Sequence, residues 1–101
     1  MTKVMTMAVL VVARMTGNPD ELAEKVLEHL TPVMNEVARQ RGAVWHALAK
    51  TPDGVMVVDV WESADAVTAA VGEQRVQEAI ERSALPQPQF DIYDLVEHRN
   101  P

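Results

Sequence analysis

The order of apolar segments along the chain predicts an α+β fold, in which a four-stranded antiparallel sheet carries two helices on one face. The chain has 101 residues and is 48% hydrophobic, which suits one domain, and we assign residues 1–101 to it. Six segments follow one another in the order β-α-β-β-α-β. No repeat, low-complexity tract or long linker divides them. This element order is that of the ferredoxin-like folds.

The first strand and the first helix have clear sequence signals. Residues 4–14 are rich in Val and Met on both alternating faces, as expected of a strand that is covered on both sides. A helix then begins at Asn18, because Asn18 can cap it and a proline follows at the first helical position. Gly42 is its expected end. Pro32 removes one helical hydrogen bond, so we expect a kink near Glu28–Thr31 or two abutting helices.

The next two strands form a predicted hairpin. Residues 43–50 and 55–61 are strand-like, and Thr51-Pro-Asp-Gly54 joins them as a turn, with its glycine expected at positive φ. Ser63 caps a second helix, which Gly72 shifts or interrupts. Residues 90–97 then alternate as the last strand.

The register of the hairpin decides which side chains are neighbours. With a four-residue loop, His46 lies opposite Asp59, whereas with a three-residue loop Trp45 lies opposite Trp61. Turn chemistry favours the three-residue loop. Pairing of the two inward polar groups favours the four-residue loop, and we adopt that register.

Both faces of the first strand are apolar, although two helices cover only one face of the sheet. One side carries Met5, Met7, Val9 and Val11, and the other carries Val4, Ala8, Leu10 and Val12. Large bare apolar surfaces are rare on monomers. We therefore expect a homodimer in which two sheets pack face to face around a two-fold axis.

Charge and composition exclude several classes of partner. The chain has 9 Lys and Arg against 15 Asp and Glu, without a basic patch, so we expect no nucleic acid partner. The absence of cysteine excludes disulfides and thiolate chemistry. The apolar run over residues 5–13 is too short to span a bilayer, and we interpret it as a buried strand and not a signal peptide. We expect a cytoplasmic protein with no membrane partner.

The segment Val58-Asp-Val-Trp-Glu-Ser63, which leads from a strand into an Ala-rich helix, carries a family resemblance. It resembles the dimeric α/β-barrel superfamily, particularly the antibiotic biosynthesis monooxygenase-like branch. Gly42-Ala-Val, Asp53-Gly54 and the element order over residues 4–97 fit the same pattern. The resemblance implies a homodimer, with a pocket between helices and sheet in each protomer that Trp61 lines.

The resemblance leaves the activity open, because the superfamily includes cofactor-independent monooxygenases, haem-degrading enzymes, isomerases and proteins without known activity. Haem-degrading members use a histidine on the second helix and an asparagine on the first strand. Residues 63–83 contain no histidine and residues 3–15 contain no asparagine. We therefore do not expect haem degradation by that route.

A small set of polar and aromatic side chains could carry chemistry. A histidine beside a carboxylate is a suitable general base for an acidic phenol or enol, so we predict His46 and Asp59 as catalytic residues. Trp61, Trp45 and Tyr93 are the predicted substrate-binding residues. The alternative interpretation of His46 and Asp59 is a polar cross-strand pair without catalytic function.

The remaining histidines do not indicate a metal site. His29 lies beside the apolar stripe of the first helix, and His98 is expected to be solvated or at a dimer contact. Neither has the local spacing to His46 that a metal requires, and no nucleotide or hydrolase motif is present. We therefore expect no metal and no cofactor.

Three functional hypotheses follow. The first is a cofactor-independent monooxygenase acting on an aromatic or enolic small molecule. The second is a non-catalytic module that binds a small apolar or aromatic ligand, and the third is a structural dimer. A cavity of several hundred Å³ that includes Trp61 would favour the first two, and a filled interior would favour the third.

Overall fold

The computed structural model describes residues 7–98, and they form one antiparallel sheet with helices on one face. The sheet order is β2-β3-β1-β4. The strands are β1 (Val9–Thr16), β2 (Ala43–Thr51), β3 (Gly54–Trp61) and β4 (Gln89–Asp94). This arrangement confirms the ferredoxin-like fold, with the apolar strands β1 and β3 in the middle of the sheet, where each pairs with a neighbour on both of its edges.

The bounds of the first and last strands in the chain differ from the prediction. β1 runs to Thr16, two residues beyond the predicted end, and residues 4–6 of the predicted strand lie outside the described residues. The strand ends where Gly17 donates its N–H to the carbonyl oxygen of Asp53 at 2.9 Å. β4 ends at Asp94, three residues before the predicted end.

The first helical segment consists of α1 (Pro19–Lys25), a π-helical turn (Val26–Leu30) and α2 (Thr31–Arg41). Asn18 caps α1 as predicted, because its Oδ1 accepts the N–H of Glu21 at 3.0 Å. The Thr31 N–H bonds to the carbonyl of Val26, five residues back. Pro32 has no N–H to continue an α-helical ladder, so the expected interruption takes the form of a π turn between abutting helices.

The second helical segment is divided as the sequence predicts. Its two parts are α3 (Ala64–Val71) and α4 (Gln74–Ser83), with Gly72 at the end of α3. The Ser63 Oγ caps α3 by accepting the Ala66 N–H at 3.1 Å. Gly42 ends α2 with φ 93°, which is the left-handed conformation that glycine adopts most easily.

The hairpin has the register that pairs His46 with Asp59, which confirms that prediction. The loop itself is shorter than expected, because Thr51 also pairs with Gly54 and only Pro52 and Asp53 remain outside the ladder. The expected positive φ at Gly54 is wrong. Glycine is required there for a different reason: a Cβ atom would lie 1.9 Å from the carbonyl oxygen of Met15.

The core lies between the sheet and the helices and falls into two hydrophobic clusters. The larger cluster surrounds Trp61 and packs α2, α3 and α4 onto the sheet. The smaller one joins Leu22 and Val26 to Met15 and Val55 at the hairpin end. Among the described residues, no helix has the length and apolar character needed to cross a membrane.

Candidate functional site

A cavity of about 140 Å³ lies between the two hydrophobic clusters, beneath the helices. Its floor consists of side chains from all four strands, and its roof comes from the π turn, α2, α3 and α4. Its lining includes Ala13, His46, Val57, Asp59, Trp61 and Phe90. The cavity is smaller than the several hundred Å³ expected of a ligand site, and similar to an apolar cavity that holds benzene.

Small side chains create this space. Ala13 on the central strand, Ala38 on α2 and Ala43 on β2 all line the cavity. On the floor, Ala13 lies between Val57 of β3 and Phe90 of β4, so a row of large side chains has its gap in the middle of the sheet. A larger residue at position 13 would fill this gap.

His46 and Asp59 form a hydrogen-bonded pair at the β2 side of the cavity. They are direct cross-strand partners, and the His46 Nδ1 lies 2.5 Å from the Asp59 Oδ1. The histidine side chain is 48% exposed and the aspartate side chain 16% exposed. An ionised Asp59 accepts the Nδ1 proton, which leaves the lone pair on Nε2. The pair is thus a carboxylate-oriented imidazole with one free basic nitrogen.

Trp61 lines the same cavity from the β3 strand. It lies two residues beyond Asp59 on the same face, which places the two Cα atoms about 7 Å apart along the strand. Its side chain is 2% exposed, and its indole Nε1 is buried without a hydrogen-bond partner among the described residues. A buried, unpaired N–H is costly in free energy, and a polar ligand atom could satisfy it.

The structure does not place Trp45 and Tyr93 in this cavity, contrary to the prediction. The hairpin register that pairs His46 with Asp59 sets the adjacent Trp45 opposite Val60, on the face that the helices do not cover. Tyr93 pairs with Leu10 on that same face. Both aromatic side chains are exposed, so a ligand in the cavity would not touch them.

Other cavity residues were missed by sequence reasoning. Phe90 and the loop residues Leu85, Pro86 and Pro88 line the β4 side. The inward alternation of β4 could have indicated Phe90, whereas nothing local marks the loop. Asn35 and Thr31 from the start of α2 add the neutral polar groups.

A network of charged side chains joins the helices that form the roof. Glu73, just before α4, accepts hydrogen bonds from Arg41 at 2.8 Å and from Arg75 at 2.9 Å. The Arg41 hydrogen bond is the main cause that lowers the pKa of the Glu73 carboxyl below its usual value of 4.5. Burial opposes this effect and the Arg75 bond adds to it. Arg75 also lies 3.3 Å from Glu36 of α2.

The remaining histidines lie away from this site. The His29 Nε2 is 3.8 Å from Glu28 in the π turn, and His98 is exposed near the end of the described chain. Over residues 7–98, no group of three or more His, Cys, Asp or Glu side chains is arranged to hold a metal ion.

The element order, the helix-roofed cavity and the tryptophan at the end of β3 define a ferredoxin-like protein with a pocket between its helices and its sheet. Residues 8–82 match the sequence model of the antibiotic biosynthesis monooxygenase family, and the chain belongs to that family. No curated protein sequence matches the chain.

Solved structures share the fold at low sequence identity. A cofactor-independent oxygenase from Streptomyces nogalater, SnoaB, is similar with a TM-score of 0.71 and 22% identity, covering 92% of this chain and 97% of that one. A putative antibiotic biosynthesis monooxygenase from Chloroflexus aurantiacus gives a TM-score of 0.64 and 19% identity, covering 92% and 97%. A conserved protein from Methanosarcina mazei gives 0.70 and 15%, covering 88% and 93%. At these identities the similarity establishes the fold alone.

Proposed function

We propose that the protein is a cofactor-independent monooxygenase that acts on a small aromatic or enolic molecule, with His46 as its general base. The observation that carries the proposal is the His46–Asp59 pair at the edge of an apolar cavity that Trp61 lines. Family membership and the fold shared with a cofactor-independent oxygenase add support. Such chemistry needs a base, an apolar site for the ring and access for dioxygen.

In the proposed reaction, the Nε2 atom of His46 removes a proton from the substrate, and Asp59 stabilises the imidazolium that results. The carbanion reduces dioxygen, and a carbon–oxygen bond forms. The peroxide anion recovers the proton from His46. Loss of a second carbon-bound proton and cleavage of the O–O bond then yield a carbonyl group and water. For anthrone, the balanced reaction is anthrone plus dioxygen to anthraquinone plus water, and the substrate supplies all the electrons.

The alternative interpretation is that the His46–Asp59 pair is not catalytic. Because each side chain satisfies the other, the pair could serve only to stabilise the sheet, while the cavity binds an apolar ligand without turnover. The apolar lining of the cavity suits such a ligand as well as it suits a substrate. Turnover measurements separate the two functions.

The test is oxygen consumption with anthrone as the probe, in the wild type and in the variants His46→Ala and Asp59→Asn. For a catalytic pair, each variant loses most of the activity, and the double variant loses little more than either single one. His29→Ala is the matched control, since it removes a histidine outside the cavity. If the His46 and Asp59 variants lose stability but retain turnover or ligand binding, the catalytic proposal is wrong.

The homodimer belongs to the same proposal. The sheet face without helices carries exposed Trp45 and Tyr93, together with half-buried Leu10, Met56 and Val58. A second copy packed against this face would cover these side chains. A cytoplasmic location is also proposed, and its support is that residues 9–13 of the N-terminal apolar run belong to the central strand of the sheet.

A further inference from the structure

We propose that the cavity is a slot with one polar end, which binds a flat hydrophobic phenol or enol whose far end is uncharged, and that Ala13 sets the length of ligand accepted. This inference rests on the proposed function for the nature of the anchoring hydroxyl. It adds the orientation of the ligand, the exclusion of a second charge and a specificity-determining residue.

The polar end is the β2 side of the cavity. His46 and Asp59 meet there, on the outermost pair of strands in the order β2-β3-β1-β4. The free Nε2 of His46 is the basic atom that an ionisable hydroxyl can reach. The ligand is therefore anchored at β2.

The opposite end of the slot is apolar. Every side chain that β4 and the loop before it contribute to the lining is hydrophobic: Leu85, Pro86, Pro88 and Phe90. Of the described residues, none that lines the cavity is Lys or Arg. A carboxylate held among these four side chains, before it reaches the solvent beyond Phe90, would lose its hydration without gaining a cation. The far end of the ligand is therefore uncharged.

The slot crosses the middle of the sheet over Ala13. Leu48, Val57, Ala13 and Phe90 form one cross-strand row, adjacent to the row that contains His46 and Asp59. Since neighbouring strands are about 4.8 Å apart, Ala13 lies about 10 Å from β2. One ring anchored at His46 covers Asp59 and Val57, whereas a fused second ring reaches Ala13.

The slot opens at the β4 side. Phe90 and Ile92 of β4 are exposed, although they lie on the face that the helices cover over β1, β2 and β3. A ligand that is too large for the cavity of about 140 Å³ can therefore extend past Ala13 towards Phe90. Such a ligand must pass through the gap at Ala13, so a larger side chain at position 13 would block it.

The experiment measures binding by titration calorimetry, so it needs no turnover. The probes are phenol, 2-naphthol, 2-methoxynaphthalene and 6-hydroxy-2-naphthoic acid, and the variants are Ala13→Leu and Ala13→Val. Ala49→Leu is the matched control, because it makes the same change on the open face of β2. Circular dichroism shows that each variant is folded, and Ala13→Val replaces Ala13→Leu if the latter is not.

We expect Ala13→Leu to weaken 2-naphthol binding about tenfold or more and phenol binding less than about threefold, because the added carbons overfill only the middle of the slot. Ala49→Leu should change neither. In the wild type, 6-hydroxy-2-naphthoic acid and 2-methoxynaphthalene should each bind about tenfold or more weakly than 2-naphthol.

Equal effects of Ala13→Leu on phenol and 2-naphthol, or tight binding of the carboxylated probe, would overturn the inference. Failure of every probe to bind would overturn it as well. The expected length dependence without oxygen consumption would leave the slot in place and remove the monooxygenase proposal, so the two failures are distinguishable.

Discussion

The two tryptophans lie on neighbouring strands and on opposite faces of the sheet. Trp61, on the face that the helices cover, is 2% exposed, whereas Trp45, on the open face, is 51% exposed. The covered face also carries the His46–Asp59 pair at 2.5 Å and the cavity. The open face carries Tyr93 and the exposed Arg14–Asp91 ion pair, with 3.2 Å between Nη1 and Oδ2.

This difference shows how strand alternation separates two tasks in a small domain. Adjacent residues of one strand point to opposite faces, so Asp59 faces the cavity while Val58 and Val60 face away from it. One face can thus hold a ligand site while the other remains free for a second copy of the chain. The same substitution should therefore affect stability or association differently on the two faces of the sheet.

The largest expected difference in stability is between substitutions of the two tryptophans. Trp61→Ala removes a fully buried side chain from the larger cluster and should lower the free energy of unfolding by about 3–5 kcal/mol. Trp45→Ala removes a half-exposed side chain and should cost a single chain less than about 1 kcal/mol. Urea denaturation of both variants measures the difference.

Protein concentration sharpens this test. If the open face is a dimer interface, the loss caused by Trp45→Ala grows with concentration, because association stabilises the wild type by mass action. The loss caused by Trp61→Ala should not depend on concentration in this way. Equal losses for the two variants at every concentration would contradict the assignment of different tasks to the two faces.

A charge on the open face should separate the proposed dimer. Val58→Asp places a carboxylate among half-buried apolar side chains of that face, where a partner sheet would have to desolvate it. We expect light scattering to give twice the 11.2 kDa chain mass for the wild type and 11.2 kDa for the variant. Val57→Asp, its neighbour on the cavity face, should lower stability without dissociating the folded protein. A folded Val58→Asp variant with the dimer mass would contradict the proposed interface.

The smallest effect concerns the roof of the cavity. The pKa of Glu73 is lowered in the folded protein, first by its hydrogen bond with Arg41, so its ionised form stabilises the fold. This contribution is complete above the usual value of 4.5 and disappears as the pH falls through the lower folded pKa. Glu73→Gln should therefore be less stable than the wild type at neutral pH and equal to it in acid.

Thermal unfolding between pH 7 and pH 3 measures this convergence. Asp91→Asn is the control on the open face, because it removes the carboxylate of an exposed ion pair. A constant difference between Glu73→Gln and the wild type across this pH range would show that the Glu73 charge does not stabilise the roof.

Local signals in the sequence predicted the elements and several of their ends. Asn18 and Ser63 cap helices because their side-chain oxygens reach backbone N–H groups three residues ahead, which is a purely local geometry. Pro32 interrupts the first helical segment because it lacks an N–H. The type of interruption, a π turn at Val26–Leu30 that lies against α4, was not predicted, because a missing N–H determines where a helix is interrupted and not which turn forms there.

The candidate site was only partly predictable for the same physical reason. The register that joins His46 to Asp59 depends on one hairpin, so turn length and polar pairing were sufficient to choose it. The face of Trp45 follows from the same register, whereas the face of Tyr93 depends on pairing with a strand about 80 residues earlier in the chain. No local pattern contains the information about Tyr93.

The sequence by itself determined the order of the strands and helices, their caps, the family and the cross-strand pair. Each of these depends on side-chain spacing, on backbone chemistry within a few residues or on one short hairpin. Only the tertiary structure decided that Ala13, Phe90 and Trp61 line one cavity. Residues that are distant in the chain create that space, because small side chains on β1, β2 and α2 come together beneath the same helical roof.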